Sequence, residues 1–238
     1  MRHILRFERD DWLSDCIDVD AFNFNSRRGC SFNDLGSFES VFVTAKVIPD
    51  STEAALLGKL GFHRVNTQIT LSAKLKELDV KEVPVYIDDL YRFEIQEELL
   101  GGSIFAGTFA FDRFSTDKRL PSEWSIRIKE RWLANKEFGK HFLVVYIDSK
   151  PAGFILFRLS TICTIELVSV LKDFRGLGLG RRLLDSLYIF CLQNKVYEIL
   201  VGTQHNNEAS LALYKKAGFQ KRTEKLVYHY CKGIKIND

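Results

Sequence analysis

Residues 168–184 read Val168-Ser-Val-Leu-Lys-Asp-Phe-Arg175-Gly-Leu-Gly-Leu-Gly180-Arg-Arg-Leu-Leu184. A strand-like run stops at Lys172-Asp173, three alternating glycines follow, and Leu183, Leu184, Leu187, Phe190 and Cys191 then recur at helical spacing. Glycines at such a turn let a backbone approach a ligand closely, and the first N–H groups of the helix have no partner inside it. With the helix dipole added, this is a site for an anion, most simply a pyrophosphate. The loop does not end in Gly-Lys-Ser/Thr, so it is not a Walker A loop. Its G-x-G-x-G spacing also differs from the G-x-G-x-x-G of dinucleotide-binding folds.

Outward from this loop the chain alternates strands and helices. His141–Ile147 and Ala152–Leu159 are apolar runs around the turn-like Asp148-Ser149-Lys150-Pro151, which predicts an antiparallel hairpin. Thr164–Val170 is the third strand, Val196–Val201 a fourth, and Asn207–Ala217 a short helix closed by Gly218. Phe219–Cys231 supplies one or two last strands. The order β-β-β-α-β-α-β predicts an α/β fold with a mixed central sheet.

The front half holds a repeat. Asp50–Phe62 (DSTEAALLGKLGF) aligns without gaps on Asn207–Phe219 (NEASLALYKKAGF), at a constant offset of 157 residues. Each segment follows a strand-like run and precedes another, as expected if the N-terminal half is a degenerate copy of the later fold. Chance recurrence of a helix–Gly-Phe unit is the alternative. The copy lacks the glycine loop and has Leu57 where Tyr214 stands. The charged segment Leu75–Val85 is the expected boundary, giving domains at 1–80 and 85–238. Helices are expected at Asp88–Leu100 and Glu123–Asn135.

Composition restricts the function classes. Hydrophobic residues make up 46% of the 238, too many for a disordered chain. No apolar run reaches the roughly 18–20 residues of a membrane-spanning helix, and the charged start MRHILRFERDD predicts no secretion signal. A net charge of +3 gives no reason to expect nucleic acid as a partner. The five cysteines form no CxxC pair, so neither a structural metal site nor a disulfide framework is expected, and a reducing cytoplasm is the default.

VSVLKDFRGLGLGRRLL resembles the acyl-CoA-binding motif of the GNAT N-acetyltransferase superfamily. Asn207-x-x-Ser210-x-x-Leu213-Tyr214-x-x-x-Gly218-Phe219 is similar to that family's partner motif. The resemblance covers about residues 140–231 and implies acetyl-CoA as co-substrate, with no metal. It places the CoA pyrophosphate on backbone N–H groups from Arg175 through Gly176, Gly178 and Gly180. The pantetheine arm falls along Val168 and Val170, and Asn207 contacts pantetheine or phosphate. Tyr214 matches the tyrosine that in many members protonates the departing thiolate. A phenol with a pKa of about 10 is protonated at neutral pH and suits that step. Glu166 falls where many members carry a base, and it shares strand parity with Val168 and Val170; a solvent-facing carboxylate is the alternative. His205, or a water chain, is a rival for the base.

The front-half unit before Asn66-Thr67-Gln68, the patch Asp10-Asp-Trp-Leu-Ser-Asp15, and Phe111-Asp-Arg-Phe-Ser-Thr-Asp117 ahead of a Trp-bearing helix are similar to the dTDP-fucosamine acetyltransferase subgroup. That resemblance implies a nucleotide-linked (dTDP or UDP) 4-amino-4,6-dideoxy sugar as acceptor. Arg113 would pair with phosphate, Phe114 or Phe111 would cover an apolar face, and Asp117 would hold a hydroxyl or the amine. One departure stands out: the subgroup's glutamate near the front-half strand is replaced here by Asn66 and Gln68. A GNAT enzyme of a protein or another small amine, and a non-catalytic acyl-CoA sensor, are the alternatives. A homodimer through an exposed edge of the last strand is allowed.

Overall fold

The computed structural model describes residues 5–76, 91–99, 102–109, 111–134 and 139–234. Packing divides the chain into two compact units that are interleaved along the sequence. The first comprises residues 1–68, 110–131 and 224–238; the second comprises 69–109 and 132–223. Most of the expected boundary, 75–85, lies outside the described residues.

In the first unit the strands run in the order β3 (Cys30–Ser31), β1 (Arg6–Arg9), β2 (Asp20–Asn25), β4 (Val41–Val47) and β11 (Gln220–Lys232). β2 pairs with β4 in parallel, and β4 pairs with β11 antiparallel from Val41↔Lys232 to Val47↔Leu226. The alternation along β4 sends Val41, Val43, Ala45 and Val47 into one apolar cluster with Phe7, Leu57 and Phe62. Phe42 faces the other way, into a cluster with Phe114, Trp124 and Ile128. Helices α1 (Asp11–Ile17), α2 (Thr52–Lys59) and α4 (Arg113–Thr116) belong to this unit, and α5 (Glu123–Ala134) begins in it.

In the second unit the order is β5 (His63–Lys74), β10 (Glu198–Gln204), β9 (Cys163–Val170), β8 (Lys150–Leu159), β7 (Lys140–Ile147) and β6 (Tyr91–Gln96). β9 and β10 are parallel, whereas β6 to β9 are antiparallel neighbours. Helix α6 (Leu179–Gln193) buries Leu183, Leu184, Leu187 and Cys191 with Ile155, Phe157 and Ile165, and α7 (Glu208–Lys216) adds Tyr214. On the other face Phe142, Val144, Phe154, Leu156 and Leu167 pack with Phe105 of α3 (Ser103–Ala106). The sheet is mixed and the fold is α/β. Asp148 and Ser149, both at positive φ, make the two-residue β7–β8 hairpin turn.

Two expectations are corrected. Tyr91–Gln96, inside the expected helix Asp88–Leu100, is a strand: Tyr91, Phe93 and Ile95 alternate with Arg92, Glu94 and Gln96, a period of two. β11 is a single interior strand, hydrogen-bonded to β4, and offers no free edge to a second copy. No helix among the described residues is long and apolar enough to cross a membrane.

The repeat is present in the backbone. The 157-residue offset carries Val41–Val47 onto Glu198–Gln204 and the start of β5, His63, onto Gln220, the start of β11. Both helices end alike: Phe62 N–H donates to Leu57 C=O (3.1 Å), and Phe219 N–H donates to Tyr214 C=O (3.0 Å). Gly61 and Gly218 sit at φ +83° and +86°. A Cβ at Gly61 would come no closer than 4.0 Å to its nearest neighbour, and one at Gly218 would meet nothing within 4 Å. Gly61→Ala and Gly218→Ala should therefore each cost only the left-handed backbone penalty, about 1–2 kcal/mol. Urea unfolding of the two variants checks this; unequal losses would mean that the turns are not equivalent.

Candidate active site

The ladder between β9 and β10 is short. It pairs Cys163, Thr164 and Ile165 with Ile199, Leu200 and Val201, although β9 continues to Val170 and β10 to Gln204. Beyond Ile165 the β10 side of β9 is thus without its neighbouring strand, and Val168 and Val170, both half-buried, lie on that stretch. An exposed strand edge presents N–H and C=O groups able to pair with an extended ligand.

At the end of β9 the chain turns through Lys172–Phe174 into Gly176 and Gly178, at φ +84° and +74°. A Cβ on either would meet nothing within 4 Å, so these glycines serve a backbone shape that faces open space. Gly178 is the N-cap of α6, and its C=O accepts from Arg181 and Arg182 N–H. The loop is braced by Arg175, whose Nε donates to Val170 C=O at 3.0 Å. Gly180 has another constraint: a Cβ there would lie 3.2 Å from Leu213 Cδ2, so it lets α6 approach α7. Arg181 strengthens that contact, its Nη1 donating to Lys216 C=O (2.8 Å) while its Nε pairs with the buried Asp185.

Tyr214 is 4% exposed and packs edge-on against Phe219, centroids 5.3 Å apart. Burial pushes its phenol well above the ordinary value, so it holds its proton at any physiological pH. Asn207 caps α7: its Oδ1 accepts from Ser210 N–H at 3.2 Å. His205 is exposed in the turn after β10.

Glu166 is placed differently from its sequence reading. Phe157 pairs with Ile165 but Leu156 pairs with Leu167, so Glu166 is the extra residue of a β-bulge. The bulge resets the alternation. Cys163, Ile165, Val168 and Val170 pack on the α6 side, whereas Leu167 packs on the opposite face. Glu166 follows Leu167: its carboxylate accepts from Trp132 Nε1 (2.9 Å) and Arg158 Nη2 (3.1 Å), with Lys140 Nζ at 3.5 Å. Lys140 and Arg158 are register partners on the face of Phe142 and Leu156. The parity that put Glu166 beside Val168 and Val170 does not survive the bulge.

Arg113, Phe114 and Asp117 lie in the first unit. Phe114 is a core ring, 5.9 Å from both Phe42 and His229. Asp117 is buried and fully engaged, accepting from Arg119 Nη2 (2.7 Å) and His229 Nδ1 (2.9 Å); both bonds hold its carboxyl well below the usual range despite its burial. Neither is a solvated or ligand-facing group. His229 is wholly buried, and desolvation outweighs Asp117 to push it down to about 4, so its ring is neutral. Sequence reading missed His229, and with it Thr44 and Lys46. The signal was present: two polar residues two apart in the otherwise apolar Val41–Val47.

Residues 108–219 match the family model described as Acetyltransferase (GNAT) family. An uncharacterized N-acetyltransferase of Methanocaldococcus jannaschii is 25% identical over 122 residues, 47% of this chain and 51% of that protein. A GCN5-related N-acetyltransferase from Sphaerobacter thermophilus superposes at a TM-score of 0.57 with 18% identity, over 84% of this chain and 62% of that one. A functionally unknown conserved protein from Staphylococcus epidermidis gives 0.61 with 13% identity, over 94% and 89%. A tandem GNAT protein from the clavulanic acid biosynthesis pathway gives 0.53 with 13% identity, over 81% and 64%. The fold is the GNAT fold, and the stretch that matches the family model, residues 108–219, takes in the glycine turn, α6 and α7. The chain spans about half the length of the curated relative and 62% of the Sphaerobacter chain.

Two outcomes follow from these environments. Glu166→Gln should destabilise the protein by about 3 kcal/mol, because it removes a buried carboxylate that pairs with Lys140, 4% exposed at its side chain, and with Arg158. The pH–rate profile should keep its shape; loss of a basic limb in that profile would restore Glu166 as a base. For His229 the folded pKa lies below the unfolded value of about 6.5, so the unfolded chain binds more protons between pH 4 and 6.5. Stability should therefore fall as pH drops through that window, and urea melts of His229→Gln should show a flatter dependence.

Proposed function

We propose that the protein transfers the acetyl group of acetyl-CoA to an amine, and that the acceptor is the amino group of a nucleotide-linked 4-amino-4,6-dideoxy sugar. The observation that carries the first part is the unpaired stretch of β9 running into the Gly176–Gly178 turn, with Tyr214 buried on the following strand–helix unit. The residues fit acetyl-CoA. The open edge at Val168 and Val170 suits an extended pantetheine arm, and the helix start at Gly178 suits a pyrophosphate. Asn207 keeps its cap with Oδ1, while its Nδ2 is the chemical donor for a pantetheine or phosphate oxygen. Acetyl-CoA supplies a thioester carbonyl open to attack by a neutral amine.

Tyr214 is the acid of this scheme. As the C–N bond forms and the C–S bond breaks, its phenol gives a proton to the departing sulfur, and the proton lost by the amine passes to water. Glu166 is not assigned that proton, because its carboxylate is already engaged by Trp132, Arg158 and Lys140 on the other face of β9. Nothing is oxidised or reduced; the products are the amide and free CoA.

The acceptor reading rests on the front-half motifs that resemble the dTDP-fucosamine acetyltransferase subgroup. Of the three residues expected to bind the sugar nucleotide, Phe114 and Asp117 are committed to the core, which leaves Arg113 for a phosphate. The first unit is, in this proposal, a degenerate GNAT-like copy that shapes acceptor binding, with Leu57 in place of an acid. A cytoplasmic location belongs to the same reading, since acetyl-CoA is a metabolite of the cell interior.

Thiol release from acetyl-CoA, measured against dTDP- and UDP-linked 4-amino sugars, tests both parts. Tyr214→Phe should lower turnover about 100-fold or more while CoA binding is unchanged. Turnover with other amines but none with the sugars would sink the acceptor and leave acetyl transfer standing; equal turnover in Tyr214→Phe would remove the acid role.

A further inference from the structure

The register of β4 on β11 sets Thr44 opposite His229 and Lys46 opposite Val227, on the sheet face that also carries Phe42. Lys225, two residues before Val227, shares that face by strand alternation. Arg113 stands at the start of α4, its guanidinium 4.7 Å over the Phe114 ring, and Phe114 lies against His229. All of these residues belong to the first unit.

Three polar atoms of this group are buried and make no hydrogen bond among the described residues: Thr44 Oγ1, Arg113 Nε and His229 Nε2. Buried polar atoms are normally paired with protein or water, so three left over around one stretch of sheet mark a place where a partner beyond the described residues fits. The charges point the same way. Cations elsewhere have carboxylates at hand: the buried Lys129 with Asp112 (3.7 Å), the buried Lys140 with Glu166 (3.5 Å) and the half-buried Arg119 with Asp117 (2.7 Å).

Arg113 has acids nearby, but they are taken. Asp10 caps α1 through Leu13 N–H (2.9 Å) and accepts from Asn23 Nδ2 (2.6 Å). Asp112 accepts from Phe114 N–H (2.8 Å) and Ser125 Oγ (2.8 Å) besides pairing with Lys129. Lys46 retains accessible surface, yet desolvation, with Arg113 and Lys225 adding repulsion, pushes its ammonium down to about 7. Lys46, Lys225 and Arg113 thus set three positive charges along one stretch of this sheet face.

We infer that Lys46, Arg113 and Lys225, with the Thr44 hydroxyl and His229 Nε2, bind a small dianionic oxyanion: the phosphate group of a metabolite, or a dicarboxylate. Arg113 supplies a planar fork and Lys46 a point charge, the pairing suited to such a group. Thr44 gives or accepts one hydrogen bond. His229 is neutral and spends its Nδ1 proton on Asp117, so its Nε2 is an acceptor and takes a hydroxyl of the ligand or of a bridging water. The site stands whether or not the acceptor of acetyl transfer is a sugar nucleotide.

Thermal unfolding of the full chain tests the site, with inorganic phosphate, malonate and chloride compared at equal ionic strength. Phosphate or malonate should raise Tm well above the chloride control, by mass action on the folded state. A response to phosphate assigns a phosphate ligand, and a response to malonate alone assigns a dicarboxylate. In Arg113→Gln and Lys46→Gln the concentration needed for the same shift should rise about tenfold or more. Without added oxyanion, Arg113→Gln should melt at or near the wild-type temperature, because it removes a desolvated cation whose nearby acids, Asp10 and Asp112, are engaged by other groups. If Arg113→Gln fails to fold, the accessible Lys46→Gln carries the comparison. Neither oxyanion exceeding chloride, or an increment equal to wild type in the variants that fold, would overturn the proposal.

Discussion

One extra residue in β9 governs the chemistry available to the second unit. With Glu166 inserted as a bulge, the strand presents Ile165 and Val168 to the same side and hands Glu166 to the other. The buried ladder with β10 stops one residue before it. A continuous ladder would have consumed the N–H and C=O groups that an extended ligand needs, and the ion pairs of Glu166 with Lys140 and Arg158 hold the bulge from the far face. The open edge and the polar cluster that holds the bulge thus lie on opposite faces of β9.

The repeat shows which features the two copies share while their side chains differ. Leu57 and Tyr214 occupy equivalent positions in the repeat, are both buried, and accept the same closing hydrogen bond. The difference is a hydroxyl on a ring in one copy and an aliphatic side chain in the other. What persists is the strand–helix–Gly–Phe geometry, because its left-handed glycine and apolar anchor are fixed by packing. The polar interest of the first unit lies elsewhere, on the sheet face bearing Thr44, Lys46 and His229.

How much of this was legible in the sequence follows the range of the interactions. The β7–β8 hairpin, the glycine turn, α6 and the α7 cap are local, each announced by period, glycine or capping residue, and all are present. The repeat was legible because both copies kept Gly and Phe at one offset. Tyr91–Gln96 carried a two-residue period, but its register with β7 is a long-range matter. The bulge at Glu166 was invisible, since it is defined by β8 on the other side of the ladder rather than by any residue of β9. The engagement of Asp117 by His229, 112 residues away in sequence, belongs to the same class.

The assignment of residues 224–238 to the first unit has a consequence for biosynthesis. β4 is an apolar strand, and its antiparallel partner, Leu226–Lys232, follows it in the chain only after the whole of 132–223. Until then the first unit emerges from the ribosome with an unpaired edge of Val41, Val43, Ala45 and Val47, open to any other extended chain. The second unit, from residue 132 onward, is made in the meantime. Closure of the β4 edge thus waits until the second unit has been made, and the nascent chain depends during that interval on whatever shields β4.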